Sequence, residues 1–192
     1  MIHIFFTLRV NGQASTDLIQ YIQAGWKKHL QGVNMHRALA KRKLIKKISD
    51  DAITLKLVHR TKGAVSPTWL PSLVYDIIQN SDQKAVGRCD LRIGMNDYMY
   101  YMGNIGYVVY PPYRGNRYAT RATLLLFEIA KEYMDTCIIT CNPDNIASIR
   151  TCEYAGCDFI KEVEVPADHE LIRQHEYVKR IYIKKLDKEG IT

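Results

Sequence analysis

The period of the hydrophobic positions changes several times along this 192-residue chain, and each change marks an element. Residues 2–10 alternate loosely, as a strand does. Leu18, Ile22, Trp26 and Leu30 then recur every four residues, one face of a helix over 16–31. Residues 35–48 read as a second, basic amphipathic helix. After Ser49-Asp50-Asp51 the period falls to two: 53–60 alternates, and 73–79 with 85–93 predicts a hairpin around Asn80-Ser81-Asp82. Residues 105–110 form the next strand. A helix over 116–134, a strand over 136–141, a helix over 145–155 and strands over 158–165 and 176–185 complete the order, with a polar loop from Pro166 to Gln174 before the last strand. The fold class is α/β of the α+β kind. The crossover helix sets strand 136–141 parallel to 105–110 in a mixed sheet with helices packed on it.

Charge changes the picture in one place. The formal net charge is +7, yet residues 1–48 hold +8 of it and the other 144 residues sum to −1. Basicity therefore belongs to an N-terminal helical segment, 1–48, and not to the body. That distribution disfavours a nucleic-acid-binding protein, and contact through Lys41–Lys47 is the minority reading. The five cysteines, Cys89, Cys137, Cys141, Cys152 and Cys157, are odd in number and lack zinc spacing. They read as reduced core thiols, and no metal site is expected. No signal peptide or membrane span is legible, so the expected location is the cytoplasm.

Candidate chemistry concentrates between Gly106 and Phe159. A tyrosine-rich strand meets Pro111-Pro112, then Arg114-Gly115-Asn116-Arg117, and a helix opens at once. Free amides and the positive end of a helix meet there, which is a phosphate cradle. No Gly-x-x-x-x-Gly-Lys-Ser/Thr run accompanies it, and the dinucleotide fingerprint is absent.

Arg114-Gly115-Asn116-Arg117-Tyr118-Ala119 resembles the Gln/Arg-x-x-Gly-x-Gly/Ala loop of the GNAT superfamily of acetyl-CoA-dependent N-acyltransferases. The run IGYVVYPPY before it resembles that family's fourth strand. Asn145, Ser148, Glu153 and Gly156 are similar to the helix pattern of the ribosomal-protein N-terminal acetyltransferase subgroup. The resemblance covers about 53–186, within a GNAT-like domain taken as 49–192. It implies a mostly antiparallel sheet whose central strands splay apart, with acetyl-CoA as co-substrate. The pantetheine arm would pair with Tyr107, Val108 and Val109, and the pyrophosphate would rest on amides from Gly115 through Thr120. Asn142, Asn145 and Ser148 would lie along the cofactor, the two asparagines also serving as a turn and a helix cap. Arg117 stands where relatives keep glycine. A helical φ would admit it there, and its side chain either pairs with a phosphate or sits solvated. Many relatives carry a tyrosine at the register of Cys152, and Tyr154 faces elsewhere on the helix.

The implied reaction is direct attack of an amine on the thioester, with the Val109 amide holding the oxyanion. Cys152 or water assists the thiolate. Asp90 is the candidate base, with Asp168, His169 and Glu170 behind it. The acceptor is a peptide or small-molecule amine. Tyr98, Tyr100 and Tyr101 either wall its pocket or pack on the sheet, and Trp69 borders its mouth. A non-catalytic acyl-CoA-binding module, transfer of another acyl group and a homodimer all stay open.

Overall fold

A computed structural model of the chain describes residues 43–61 and 70–186. The strand expected over 2–10, the helix over 16–31, most of that over 35–48 and Trp69 lie outside the described residues. Two antiparallel sheets form the frame. The first, in order β1-β2-β3-β4-β5, comprises β1 (Lys47–Ser49), β2 (Ile53–Thr61), β3 (Ser72–Gln79), β4 (Ala85–Arg92) and β5 (Ile105–Val109). The second, in order β6-β8-β7, comprises β6 (Thr136–Cys141), β7 (Asp158–Glu164) and β8 (Val178–Lys185). Helices α1 (Tyr118–Ala130) and α2 (Ile146–Tyr154) follow β5 and β6, and short 3-10 turns span Pro111–Tyr113 and Glu170–Gln174.

Period-two patterning explains the first sheet. In β3, Leu73, Tyr75 and Ile77 are buried, and Cys89 and Leu91 of β4 lie on the same face opposite them. That face takes α1, whose Ala122, Leu126 and Ile129 are fully buried at helical spacing against Ile53, Leu55 and Tyr75. Arg88, Asp90 and Arg92 alternate to the other face. A smaller cluster of Met95, Met99, Ile138, Ile181 and Ile183 fills the space beside the second sheet.

Three expectations change. Residues 47 and 48, read as the end of a basic helix, belong with Ser49 to an edge strand paired with Thr54–Lys56, because Ile48 alone of the three packs inward. The first long helix starts at Tyr118, two residues later than its periodicity suggests, and ends at Ala130. No ladder joins β5 to β6. Their parallel neighbour relation is reduced to a clasp at the residue before β5, beside which Thr140 Oγ1 donates to Tyr101 O at 2.9 Å. Asn104, wholly buried, donates its N–H to Ile138 O at 2.6 Å, and its Oδ1 accepts from Ile138 N at 2.8 Å. Its Nδ2 donates to Arg92 O at 3.0 Å and Gly94 O at 2.7 Å. Gly103 makes the approach sterically feasible: with φ +71°, a Cβ there would lie 3.0 Å from Ile138 O and 3.1 Å from Thr140 N. Beyond the clasp the strands have no mutual ladder, so a gap opens between the sheets.

Replacing Asn104 by Ala strands the Ile138 amide and two carbonyls in a dry site. Each uncompensated group costs about 1–3 kcal/mol before relaxation. Asn104→Ala is expected to lower unfolding stability by about 3 kcal/mol in a urea titration, and Asn104→Asp to give no rescue, since it lacks the two N–H donors.

Candidate active site

Strand register decides which way β5 presents its polar backbone. Arg92 N donates to Asn104 O at 2.7 Å and Tyr110 N to Val86 O at 2.9 Å, and Gly106 and Val108 fall opposite Asp90 and Arg88 between them. Even-numbered residues therefore spend their amides and carbonyls on β4. Ile105, Tyr107 and Val109 turn theirs toward the gap. Of the three positions expected to pair with a pantetheine arm, Tyr107 and Val109 keep that capacity. Val108 does not; its side chain, about half exposed, instead borders a cavity on the sheet face.

The chain then climbs through Pro111–Tyr113 into the loop. Arg114 Nε reaches back to Val109 O at 3.2 Å, and Asn116 Nδ2 staples the Tyr113 and Arg114 carbonyls. Gly115 takes φ +85° with open space where a Cβ would be. Arg117 is the N-cap of α1, and its φ of 57° is left-handed, not helical as the sequence suggested. Glycine adopts this conformation without steric cost. A non-glycine residue there stores about 1 kcal/mol. Its guanidinium lies 4.9 Å from the centre of the exposed Tyr154 ring. Intrahelical bonding starts at Arg121 N, which leaves the amides of Tyr118, Ala119 and Thr120 pointing out of the helix end beside those of Gly115–Arg117.

Two cavities meet across β5. One of about 210 Å³ sits in the gap, bordered by Ile105, Gly106 and Tyr107, by Ser148 of α2, and by Thr140, Glu176 and Lys179 of the second sheet. The other, about 810 Å³, lies on the exposed face of the first sheet against Val74, Arg88, Asp90, Met99 and Val108. Arg92, Gly106 and Tyr107 belong to both. Asp90 stands at this junction. A Cβ on Gly106 would fall 2.5 Å from Asp90 Oδ1, so glycine is what admits the carboxylate. Burial raises the Asp90 pKa and Arg92, with Nε 3.0 Å from Oδ2, pulls it partly back. Arg92 is held in turn by the Met102 and Gly103 carbonyls.

Other expected site residues fall elsewhere. Asn145 is the cap of α2, its Oδ1 accepting from Ser148 N at 3.1 Å. Asn142 is committed to a pair that the sequence did not reveal. Its Oδ1 accepts from Lys179 Nζ at 2.7 Å and its Nδ2 donates to Glu176 at 3.2 Å, while Lys179 and Glu176 pair at 2.5 Å. A glutamate and a lysine 34 and 37 residues downstream carry no local signal for this contact; only the β6–β8 register brings them in. Cys152 is wholly buried, and its thiol is pushed far up by its hydrogen bond with Cys141 and by burial, which suits packing and not proton transfer.

His169 is no surface base. Nδ1 accepts from Leu171 N, so Nε2 carries the proton toward Tyr98 O at 3.0 Å, and the ring stacks on Tyr98 at 4.2 Å. Asp168 is exposed, and Glu170 bonds Tyr98, whose pKa burial and Glu170 push up to about 12. The Tyr98–Tyr101 run thus docks the loop before β8, and Tyr107 is the tyrosine at the cavities. Among the described residues no group of His, Cys, Asp and Glu is placed to hold a metal, and no helix is long and apolar enough to cross a membrane.

Comparison with known proteins agrees with this geometry. The GNAT acetyltransferase domain family matches residues 33–158, beginning inside the basic N-terminal segment. A GNAT-family structure from Chromobacterium violaceum is similar at 16% identity, with TM-score 0.52, over 75% of this chain and 88% of that one. An acetyltransferase from Agrobacterium tumefaciens is similar at 16% identity, with TM-score 0.51, over 74% and 95%. The microcin C7 self-immunity acetyltransferase, solved with acetyl-CoA and AMP, is similar at 20% identity with TM-score 0.44; the match covers 59% of this chain and 61% of that one. No curated protein matches significantly. With two thirds of its length matched, a clasped pair of diverging strands and a free-amide turn behind them, the chain belongs to the GNAT family of acetyl-CoA-dependent acyltransferases.

Proposed function

We propose that this protein transfers the acetyl group of acetyl-CoA to a primary amine, a protein N-terminus or a small molecule, by direct attack. One observation carries the reading. The outward amides of Tyr107 and Val109 lead in a continuous path from the junction of two cavities to the open amides of Gly115–Thr120. A chain with a thioester at one end and a diphosphate at the other fits that path, the diphosphate on the helix end and the amide-bearing arm along β5. Arg117 then turns from Tyr154 to a phosphate. The likeness of α2 to ribosomal-protein N-terminal acetyltransferases supports an α-amino acceptor.

The geometry moves one assignment. The cavities meet at Tyr107, two residues before Val109. The Tyr107 amide is therefore the oxyanion donor, and Val109 pairs with the arm. The acceptor enters from the larger cavity and sheds its proton to Asp90. An alkylamine with pKa near ~10 is neutral about one part in a thousand at pH 7, whereas an α-amino group near ~8 needs far less help.

Calorimetry is expected to show coenzyme A binding, and thiol release from acetyl-CoA is expected only when an amine is supplied. No heat with coenzyme A or acetyl-CoA would remove the proposal. Ala119→Asp, an anion in the first turn of α1, favours the helix but repels a diphosphate. Its melting temperature should hold while coenzyme A affinity falls on the order of 30-fold or more. Because burial raises the Asp90 pKa, the base is lost to protonation at a higher pH than an ordinary carboxylate. The acid limb of kcat/KM should lie above pH ~4 and disappear in Asp90→Asn, with a loss of roughly 10²-fold or more that is larger for alkylamines than for α-amino acceptors.

A further inference from the structure

The exposed face of the first sheet carries an arginine with no part in the transfer step. Direct antiparallel pairing sets this face in rows. Lys56, Asp76, Arg88 and Val108 form one; Val74, Asp90 and Gly106 lie in the next. Arg88 and Asp90 are two apart on β4, so their Cα atoms stand about 7 Å apart. Both side chains border the larger cavity. The two arginines of β4 are held differently. Arg92 is locked, with Nε on Asp90 Oδ2 and Nη1 on the Met102 and Gly103 carbonyls. Arg88 is about half exposed, and its Nε and Nη2 both meet one oxygen, Asp76 Oδ1, at 2.8 Å. That geometry keeps the two N–H groups of Nη1 for an incoming group. Charge along the row is also unbalanced, since Lys56 and Arg88 flank the single carboxylate of Asp76. The cavity is thus cationic at Arg88, one strand step from the carboxylate of Asp90.

From this placement, and resting on the acetyl-transfer reading above, we infer that Arg88 selects the acceptor: the amine that reaches Asp90 carries a carboxylate several bonds away, and Arg88 binds it through Nη1. Arginine suits a carboxylate, and the bond is charge-assisted. The two anchors fix the span. An ammonium beside Asp90 and a carboxylate on Arg88 are separated by on the order of 5–8 Å, about two residues of strand. A free α-amino acid holds its two groups within about 3 Å, on one shared carbon, and is too short to satisfy both. An acidic side chain in the first two residues of a peptide matches the span, and so does a short ω-amino acid. Between the anchors, Val74, Gly106 and Val108 give the carbon skeleton an apolar floor that is bare at the glycine. A second cation on the acceptor meets Lys56 and Arg88 and is rejected.

Matched acceptors read this selection. Thiol release from acetyl-CoA is followed with the amidated peptides Ala-Glu-Ala, Ala-Gln-Ala and Ala-Lys-Ala, and with γ-aminobutyrate against γ-aminobutyramide. The peptide arm and the small-molecule arm tell the two sources of the carboxylate apart. In at least one arm, kcat/KM is expected to be on the order of 10-fold or more higher for the carboxylate than for its neutral amide, with the lysine peptide poorest. Arg88→Gln is expected to erase that ratio, and Arg88→Glu to turn it toward the lysine peptide. Because the readout is a ratio within one variant, partial loss of folded protein cancels. Asp76→Asn removes the competing anion and is expected to enlarge the ratio, which gives a second reading from a different residue. Equal kcat/KM within both arms of the wild type, or a preference that survives Arg88→Gln, would overturn the role of Arg88 and leave acetyl transfer intact. Coenzyme A bound with no transfer to any of these acceptors would overturn it as well. Failure of the wild-type protein to bind coenzyme A would remove both readings.

Discussion

The architecture depends on one buried amide. Asn104 is the only residue of the approach to β5 that bonds both sheets through its side chain among the described residues, and it does so with every polar atom satisfied. Two sheets that met along a full ladder would close the gap, and two that never met would leave its width undefined. A single clasp fixes one end and frees the other. Divergence of the strands is thus a consequence of where pairing stops, and the unpaired amides of Tyr107 and Val109 follow from the same termination.

The same geometry explains why the two cavities share so few residues. Arg92, Gly106 and Tyr107 are common to both cavities, and each has a different duty there. Arg92 ties the Asp90 carboxylate to the carbonyls preceding Asn104, so the acid is anchored to the clasp itself. On the opposite wall Glu176 and Lys179 neutralise each other directly, and Asn142 bonds both. A buried pair of this kind is tolerated because all three groups bond one another, and it leaves the gap without a net charge to resist an uncharged thioester arm.

Much of this was legible in the chain. Alternation located the hairpin of β3 and β4, and the abrupt step from Arg114-Gly115 to a helix located the amide turn. Asn145 announced its cap. What failed to show depended on contacts between distant segments or on backbone signs. Gly103-Asn104 looks like any turn dipeptide, and only its approach to Ile138 gives it meaning. A positive φ at Arg117 contradicts what its residue type prefers, since tertiary context holds it. His169 reads as a polar loop residue, yet stacking on Tyr98 buries it.

Gly106 carries a lesson for inheritance. The carboxylate of Asp90 occupies the volume that any side chain at 106 would require. A lineage that acquires even a methyl group there must first surrender its acid or swing it away from Arg92, so the two positions are bound to change in concert. Under the proposed reaction, descendants that keep a bare strand at this point would retain a proton acceptor for strongly basic substrates. Those that fill it would be left with acceptors already acidic enough to arrive uncharged.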